Sequence, residues 1–279
     1  MPRLSRPKIW VAAGVALIAA LPSLIEAIYV TPHAVFMDDQ TRSAQVTIGN
    51  SGDLPEEATI ELQFGFPDTD SNGTPFIRFV EDPGSQFPSA AGWIRAFPRR
   101  VQLPPGDQQV VRLLATPPDD LPDGEYWTRM IITARGAQIS VATTDTAVRA
   151  GVALVIRLIT SITYRKGEVT TGVTVQELTA TPHSDSVVVW LAAAREGNGA
   201  YLGTAHFELV NADQQTVGEW PTPLAIYYPI NRRFVLPTGP LASGSYVLRL
   251  RLDSERPDLP VGGVLPTAPV SDSVLIEVP

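Results

Sequence analysis

The sequence contains no cysteine. That excludes disulfides, thiolate catalysis, cysteine-ligated zinc and a lipid-bearing N-terminal cysteine. It leaves the redox compartment open, because a sandwich of ordinary size folds without a disulfide staple. Histidine is also scarce, at three residues: His33, His183 and His206. They are scattered, with no H-x-x-x-H metal pair among them. There is no G-x-S-x-G nucleophile elbow and no glycine-rich phosphate loop. The many carboxylates sit mostly in turns, where solvation accounts for them. Paired-carboxylate chemistry depends on geometry, and no stretch favours it. The reading is therefore of a non-enzyme with no cofactor, no metal, no nucleotide and no small-molecule substrate. Charged residues make up only 18% and the net charge is -8. No basic patch interleaved with aromatics is visible, so nucleic acid is excluded as a partner: few cations are available to displace phosphate counterions.

Long helices are a further absence. The chain carries 26 prolines and 21 glycines against a hydrophobic fraction of 44%. Many turns with enough apolar residue for a core describe an all-β protein. A length of 279 residues accommodates two sandwich domains and an export segment.

Residues 1–27 read as that segment. Arg3, Arg6 and Lys8 form a basic start, residues 9–21 an apolar core, and Ala27 a small residue at a cleavage position. The alternative is an uncleaved anchor, which needs roughly 20 apolar residues. Pro22 and Glu26 come too early for one. Residues 1–27 carry a net +2, so the remainder carries -10.

From there the chain alternates strand-length runs with turns. Residues 28–36, 43–49, 58–66, 76–80, 93–97, 110–115 and 126–133 read as strands. A polar stretch over 135–149 holds a short alternating piece at 138–142. Asn50-Ser51-Gly52-Asp53, Pro104-Pro105-Gly106-Asp107 and Leu121-Pro122-Asp123-Gly124 read as turns. Asp68, Asp70, Asn72 and Gly73 copy the first half of a calcium loop, but its glutamate position holds Phe79. The favoured reading is a hairpin turn, with calcium as the alternative. Residues 150–164 form an unusually long run. Val152, Leu154, Ile156, Leu158, Ile162 and Tyr164 share one face; Ala153, Val155, Arg157, Ile159, Ser161 and Thr163 share the other. A strand apolar on both faces is normally covered on both. Residues 166–168 read as a linker. Runs over 169–178, 186–194, 203–210, 216–220, 224–228, 232–236, 245–252 and 271–278 predict a second sandwich over residues 169–279.

Residues 97–113, F-P-R-R-V-Q-L-P-P-G-D-Q-Q-V-V-R-L, followed by L-P-D-G-E-Y-W at 121–127, resemble a known pattern. It is that of the N-terminal immunoglobulin-like domain of PapD-type periplasmic pilus-assembly chaperones. Ala34-Val35-Phe36, Asn50 and Thr163-Tyr164-Arg165 add to the likeness. It covers residues 28–165 and finds no motif in 169–279. The resemblance implies two immunoglobulin-like β-sandwich domains after a signal segment, in the periplasm or secreted. It also implies a protein partner: a pilus or surface subunit with an open β-sheet edge, completed by a strand this chain donates. By position the donated side chains are Val152, Leu154 and Ile156. The family's two basic residues, which hold the client's terminal carboxylate, correspond to His33 and Ser161, neither a permanent cation. Glu125 and Arg165 occupy positions of a charged cluster at the domain junction, implying a structural ion pair that fixes the interdomain angle. Membrane anchoring arises only if the signal is uncleaved. Two alternatives stand beside this. The 150–164 run reads equally as an ordinary buried last strand, and the protein as a secreted structural or adhesive module.

Overall fold

The structure, a computed structural model, describes residues 28–136, 139–140, 151–152 and 155–279. The side chains of Val152 and the whole of Leu154 lie outside the described residues. So does the whole of residues 1–27, read from the sequence as the export segment.

The N-terminal half holds β1 (Ile28–Thr31), β2 (Ala34–Asp38), β3 (Ser43–Asn50), β4 (Glu56–Gln63), β5 (Gly65–Thr69), β6 (Pro75–Phe79), β7 (Ile94–Phe97), β8 (Arg100–Leu103), β9 (Gln108–Ala115), β10 (Gly124–Gly136), β11 (Ile139–Ser140), β12 (Gly151–Val152) and β13 (Val155–Lys166). One sheet has the order β1-β3-β9-β7, and the facing sheet β2-β13-β10-β4-β8. The C-terminal half holds β14 (Thr171–Pro182), β15 (Ser186–Gly197), β16 (Tyr201–Asn211), β17 (Thr216–Ile226), β18 (Ile230–Pro237), β19 (Gly244–Asp253) and β20 (Val270–Val278). Its sheets run β14-β15-β18 and β17-β16-β19-β20. The molecule is all-β, with two sandwiches.

Each sandwich has its own core, built by period-two alternation. Met130, Ile132 and Ala134 of β10 meet Val46 and Ile48 of β3 and Val111 and Leu113 of β9. Phe207, Leu209, Leu248, Leu250, Val187 and Val189 fill the second core. Asn50 is 1% exposed and staples a turn: its amide donates to the carbonyls of Leu54 and Leu103. Satisfying those carbonyls explains why a polar residue is buried there.

Where the strands differ from the sequence expectation, proline and burial explain it. The run 28–36 is two strands in two sheets, separated at Pro32-His33. Pro32 has no N–H to continue a ladder. The run 58–66 is also two strands, because β5 leaves the sheet and pairs with β6 instead. Conversely, 216–220 and 224–228 are one strand, β17, running through Pro221 and Pro223. It lies at the edge of its sheet, where a missing N–H can face solvent. The short β8 was hidden by the arginines that precede Val101.

The hairpin β5–β6 carries the D-T-D-S-N-G turn. Asp70 Oδ1 accepts the N–H groups of Asn72 and Thr74, and Asp68 pairs with Arg78. These carboxylates close the turn. The hairpin also crosses to the second sandwich: Arg233 N donates to the Gly73 carbonyl at 3.0 Å, and Asn231 N to Thr69 Oγ1 at 3.2 Å. Phe64, Phe66 and Phe87 from the first half pack with Trp127, Tyr227 and Tyr228, the Phe66–Tyr228 centroids lying 4.5 Å apart. The two halves are thus joined by an aromatic cluster and a strap.

Gly73 has φ +72, and a Cβ there would sit 2.6 Å from Arg233. Gly106 also has positive φ, +80, but open space around it. Gly106→Ala is expected to cost about 1–2 kcal/mol from backbone conformation alone. Gly73→Ala is expected to cost more, about 2–4 kcal/mol, because overpacking adds to the same backbone penalty. Urea midpoints of the two variants check this; equal losses would show that the strap yields freely.

Candidate functional site: an open sheet edge and the junction beside it

The long run of the sequence becomes β13. It pairs with β10 along its whole length, Val155 opposite Arg135 and Lys166 opposite Gly124. On its other side it pairs with β2 in parallel, and only over Ser161–Arg165. Among the described residues, nothing pairs with Val155–Thr160 on that side. The expectation of a strand covered on both faces is met only in the half nearer the linker. The strand covered on both faces over its middle is β10: Met130, Ile132 and Ala134 enter the core, while Trp127, Arg129 and Ile131 on the opposite face are 1–5% exposed.

The direction of the free backbone groups follows from one bond. Ser161 N donates to the His33 carbonyl at 3.0 Å, so residue 161 points its main-chain groups away from β10. By the period of two, Ile159, Arg157 and Val155 do the same. Each presents an N–H and a carbonyl along the open edge. Their side chains lie on the face away from the first core, with Val155 53% and Ile159 38% exposed. Arg157 lies over the Phe79 ring at 5.4 Å. Ile156 and Leu158 are half-buried against the margin of the first core. Beyond, β11 and β12 continue the pairing, Ile139 with Val152 and Ser140 with Gly151.

The two positions implied for a carboxylate anchor, His33 and Ser161, are brought together where β2 closes the edge. His33 is exposed, its Nε2 4.0 Å from Asp258 Oδ2 of the second half. Asp258 is chelated by Arg256 through two contacts of 2.7 Å. The Arg256 guanidinium holds the Asp258 carboxyl below the usual range. One strand further, opposite Ser161, stands Arg129. It is 5% exposed, donates from Nε to the Gly65 carbonyl at 2.9 Å and stacks on Tyr227. Its Nη2 has no partner, and among the described residues no carboxylate pairs with it. The row His33, Ser161, Arg129 therefore ends in a permanent cation that sequence reasoning passed over. Its signal was present: it shares a face with Glu125 and Trp127, at odd positions of one strand.

Glu125 and Arg165 face each other across the β10–β13 ladder. Arg165 Nε lies 2.9 Å from Glu125 Oε1, with the side chains 15% and 1% exposed. Both reach the second sandwich. Glu125 Oε2 accepts the Ala200 N–H at 2.9 Å and the Trp127 indole N–H at 3.0 Å. Arg165 donates to the carbonyls of Gly262 and Gly263 at 2.7 and 2.6 Å. Backbone carbonyls of the second sandwich thus complete the partners of Arg165; among the described residues no aspartate pairs with it. Asn198 adds a linker contact, donating to the carbonyls of Asp123 and Glu168. One residue before Arg165, the Tyr164 hydroxyl donates to Asp39 at 2.8 Å. Burial first, then Asp39, push the Tyr164 hydroxyl up to about 12.

Solved structures similar to this chain include several chaperones. The class 5 fimbriae chaperone CfaA is 14% identical, with 90% of this chain and 99% of that chain covered at a TM-score of 0.40. The YadV chaperone is 12% identical, with 89% and 99% covered at 0.44. The Pseudomonas aeruginosa CupB2 chaperone is 11% identical, with 88% and 98% covered at 0.41. No family model and no curated protein matches the sequence.

Two outcomes are expected of the junction. Arg165→Ala leaves Glu125 buried without its cation and should cost about 3–5 kcal/mol in urea unfolding. Restoring neutrality with Glu125→Gln on top should recover part of that loss. For Tyr164 the folded value, about 12, lies above the ordinary 10.0. Its contribution is therefore complete below pH 10 and lost as pH rises through 12. Tyr164→Phe should flatten that part of the alkaline decline, read as urea midpoints across the window.

Proposed function

We propose that the protein is an exported chaperone-like binder of a subunit whose own β-domain lacks a strand. The partner would add its open sheet edge to β13, with backbone pairing supplying affinity and alternate side chains supplying fit. The single observation that supports this most is the one-sided pairing of Val155–Thr160, with three residues presenting main-chain donors along an edge that β2 leaves uncovered. Val152, Leu154 and Ile156 are the side chains proposed for the partner's groove. His33 and Ser161, with Arg129 behind them, are proposed to receive whatever polar or charged group ends the added strand, because β2 blocks its further advance at Ala34. The Glu125–Arg165 pair is proposed to hold the second sandwich at the angle that leaves this site open. Export to the periplasm or beyond is part of the same reading. The alternative, a secreted structural or adhesive module, predicts no dependence of binding on that edge.

The test uses proline as a backbone probe. At Arg157 the N–H faces the open side, so Arg157→Pro removes an edge donor while keeping the pairing with β10. The protein isolated from its natural source should carry a subunit with an incomplete sandwich. The Arg157→Pro variant should lose that partner at least tenfold while its unfolding midpoint stays near the parent value. Leu158→Pro, whose N–H faces β10, should instead destabilise the fold by about 3 kcal/mol. Undiminished partner recovery with Arg157→Pro would exclude edge pairing and leave the module reading.

A further inference from the structure

The junction contains a second arginine with an unsatisfied N–H donor, and it lines a cavity. A space of about 180 Å³ lies between the β5–β6 hairpin and the second sandwich, walled by Asp68 and Thr69 on one side and Leu224, Ile230, Arg232 and Arg256 on the other. Arg232 stacks over Phe234 at 4.6 Å and donates from Nη1 to the Pro223 carbonyl at 3.3 Å. Its Nε is buried and has no partner. Among the described residues no carboxylate pairs with it. The other charged groups of the lining are already engaged: Arg256 is chelated by Asp258, and Asp68 by Arg78 and the Thr69 N–H.

We propose that this cavity is a small-oxyanion site, in which one carboxylate, phosphate or sulfate group bridges Arg232 of the second sandwich and Thr69 of the hairpin. A guanidinium stays charged at any physiological pH and presents a fork matched to two oxygens. Left half-desolvated without a counter-charge it is costly, as the burial that lowers the Arg232 pKa indicates. Thr69 Oγ1 already accepts the Asn231 N–H, which leaves its hydroxyl proton to donate. The volume narrows the ligand class. Drug-sized ligands occupy roughly 300 Å³ or more, whereas this space holds the equivalent of about six waters. One oxyanion with some of its hydration fits. Bound there, it ties the strap to the second sandwich and tightens the junction.

The site is tested with inorganic phosphate and acetate as probes, against sodium chloride at matched ionic strength. Phosphate should raise the thermal midpoint of the purified protein by about 3–6 °C over the chloride control as the site saturates. It should also broaden the phosphorus resonance of phosphate in a protein-dependent way. Arg232→Gln should abolish both effects, and Arg232→Lys should weaken them. Displacement of phosphate by acetate assigns the site to carboxylate groups, such as one offered by a partner; resistance to acetate assigns it to a free tetrahedral ion. An equal rise in the Arg232→Gln protein would mark a general salt effect and overturn the proposal. So would the absence of line broadening with the unsubstituted protein, which needs no variant to fold.

Discussion

Five residues of parallel pairing, Ala34–Asp38 against Ser161–Arg165, decide where the first sandwich is closed and where it is not. The chain enters through β1 in one sheet and, after Pro32, changes to the other. Had the first run stayed in a single sheet, either β3 or β13 would have lacked this neighbour. By dividing itself, it covers part of both. The cost is the length of β2, too short to reach Thr160 and beyond. Among the described residues, an edge of six then remains unpaired between the start of β13 and the stop at Ser161. The same pairing places Tyr164 in the core with its hydroxyl on Asp39, and turns Arg165 outward to the second sandwich.

That outward face joins the halves. An interface made only of Phe64, Phe66, Phe87, Tyr227 and Tyr228 would be adhesive but poorly oriented, since apolar burial is non-directional. Direction comes from the polar groups in and around it. Glu125 has one oxygen for Arg165 and the other for Ala200 N–H and the Trp127 indole, so its charge is met by groups from both sandwiches. A rotation of either half would leave a buried carboxylate short of partners, which is dearer than the pair itself is favourable. The hairpin β5–β6 adds a second point of attachment through Gly73 and Thr69. Two separated points resist twisting better than one.

Much of this was legible in residues 97–127 and 150–165, where turns rich in Pro and Gly frame strands with period-two faces. Those patterns carry fold class because they reflect burial directly. The parity of β13 was also readable: Ile156, Leu158, Ile162 and Tyr164 do share the core side. What could not be read was coverage. A one-sided apolar strand at an edge and the same strand in mid-sheet have the same alternation, and only the neighbouring strands separate them. Arg129 was passed over for a related reason. An arginine in a run such as Y-W-T-R-M-I-I looks like a solvated interruption, yet the second sandwich and the hairpin bury it. The proline-bearing β17 misled in the opposite direction, since proline signals a break only where both sides of a strand must pair.

An exposed ladder of N–H and carbonyl groups invites pairing with any extended chain, including another copy of this one. Two features oppose indiscriminate use. Arg157 places a charge in the middle of the open segment, on the same face as Val155 and Ile159, so an added strand must tolerate a cation there. The net charge of -8 disfavours close approach of like molecules. Meanwhile β10 holds β13 extended along its full length, and Ile156 and Leu158 rest against the core margin. The edge is therefore ordered before anything docks, and a partner loses less conformational entropy in the encounter than it would by ordering two loose strands. Preorganisation favours association in general; on the proposed reading, the arginine and the stop at Ser161 would restrict it to strands of suitable length and ending. Under the proposed function, those two restrictions are what would make a selective site of an edge that is unpaired among the described residues.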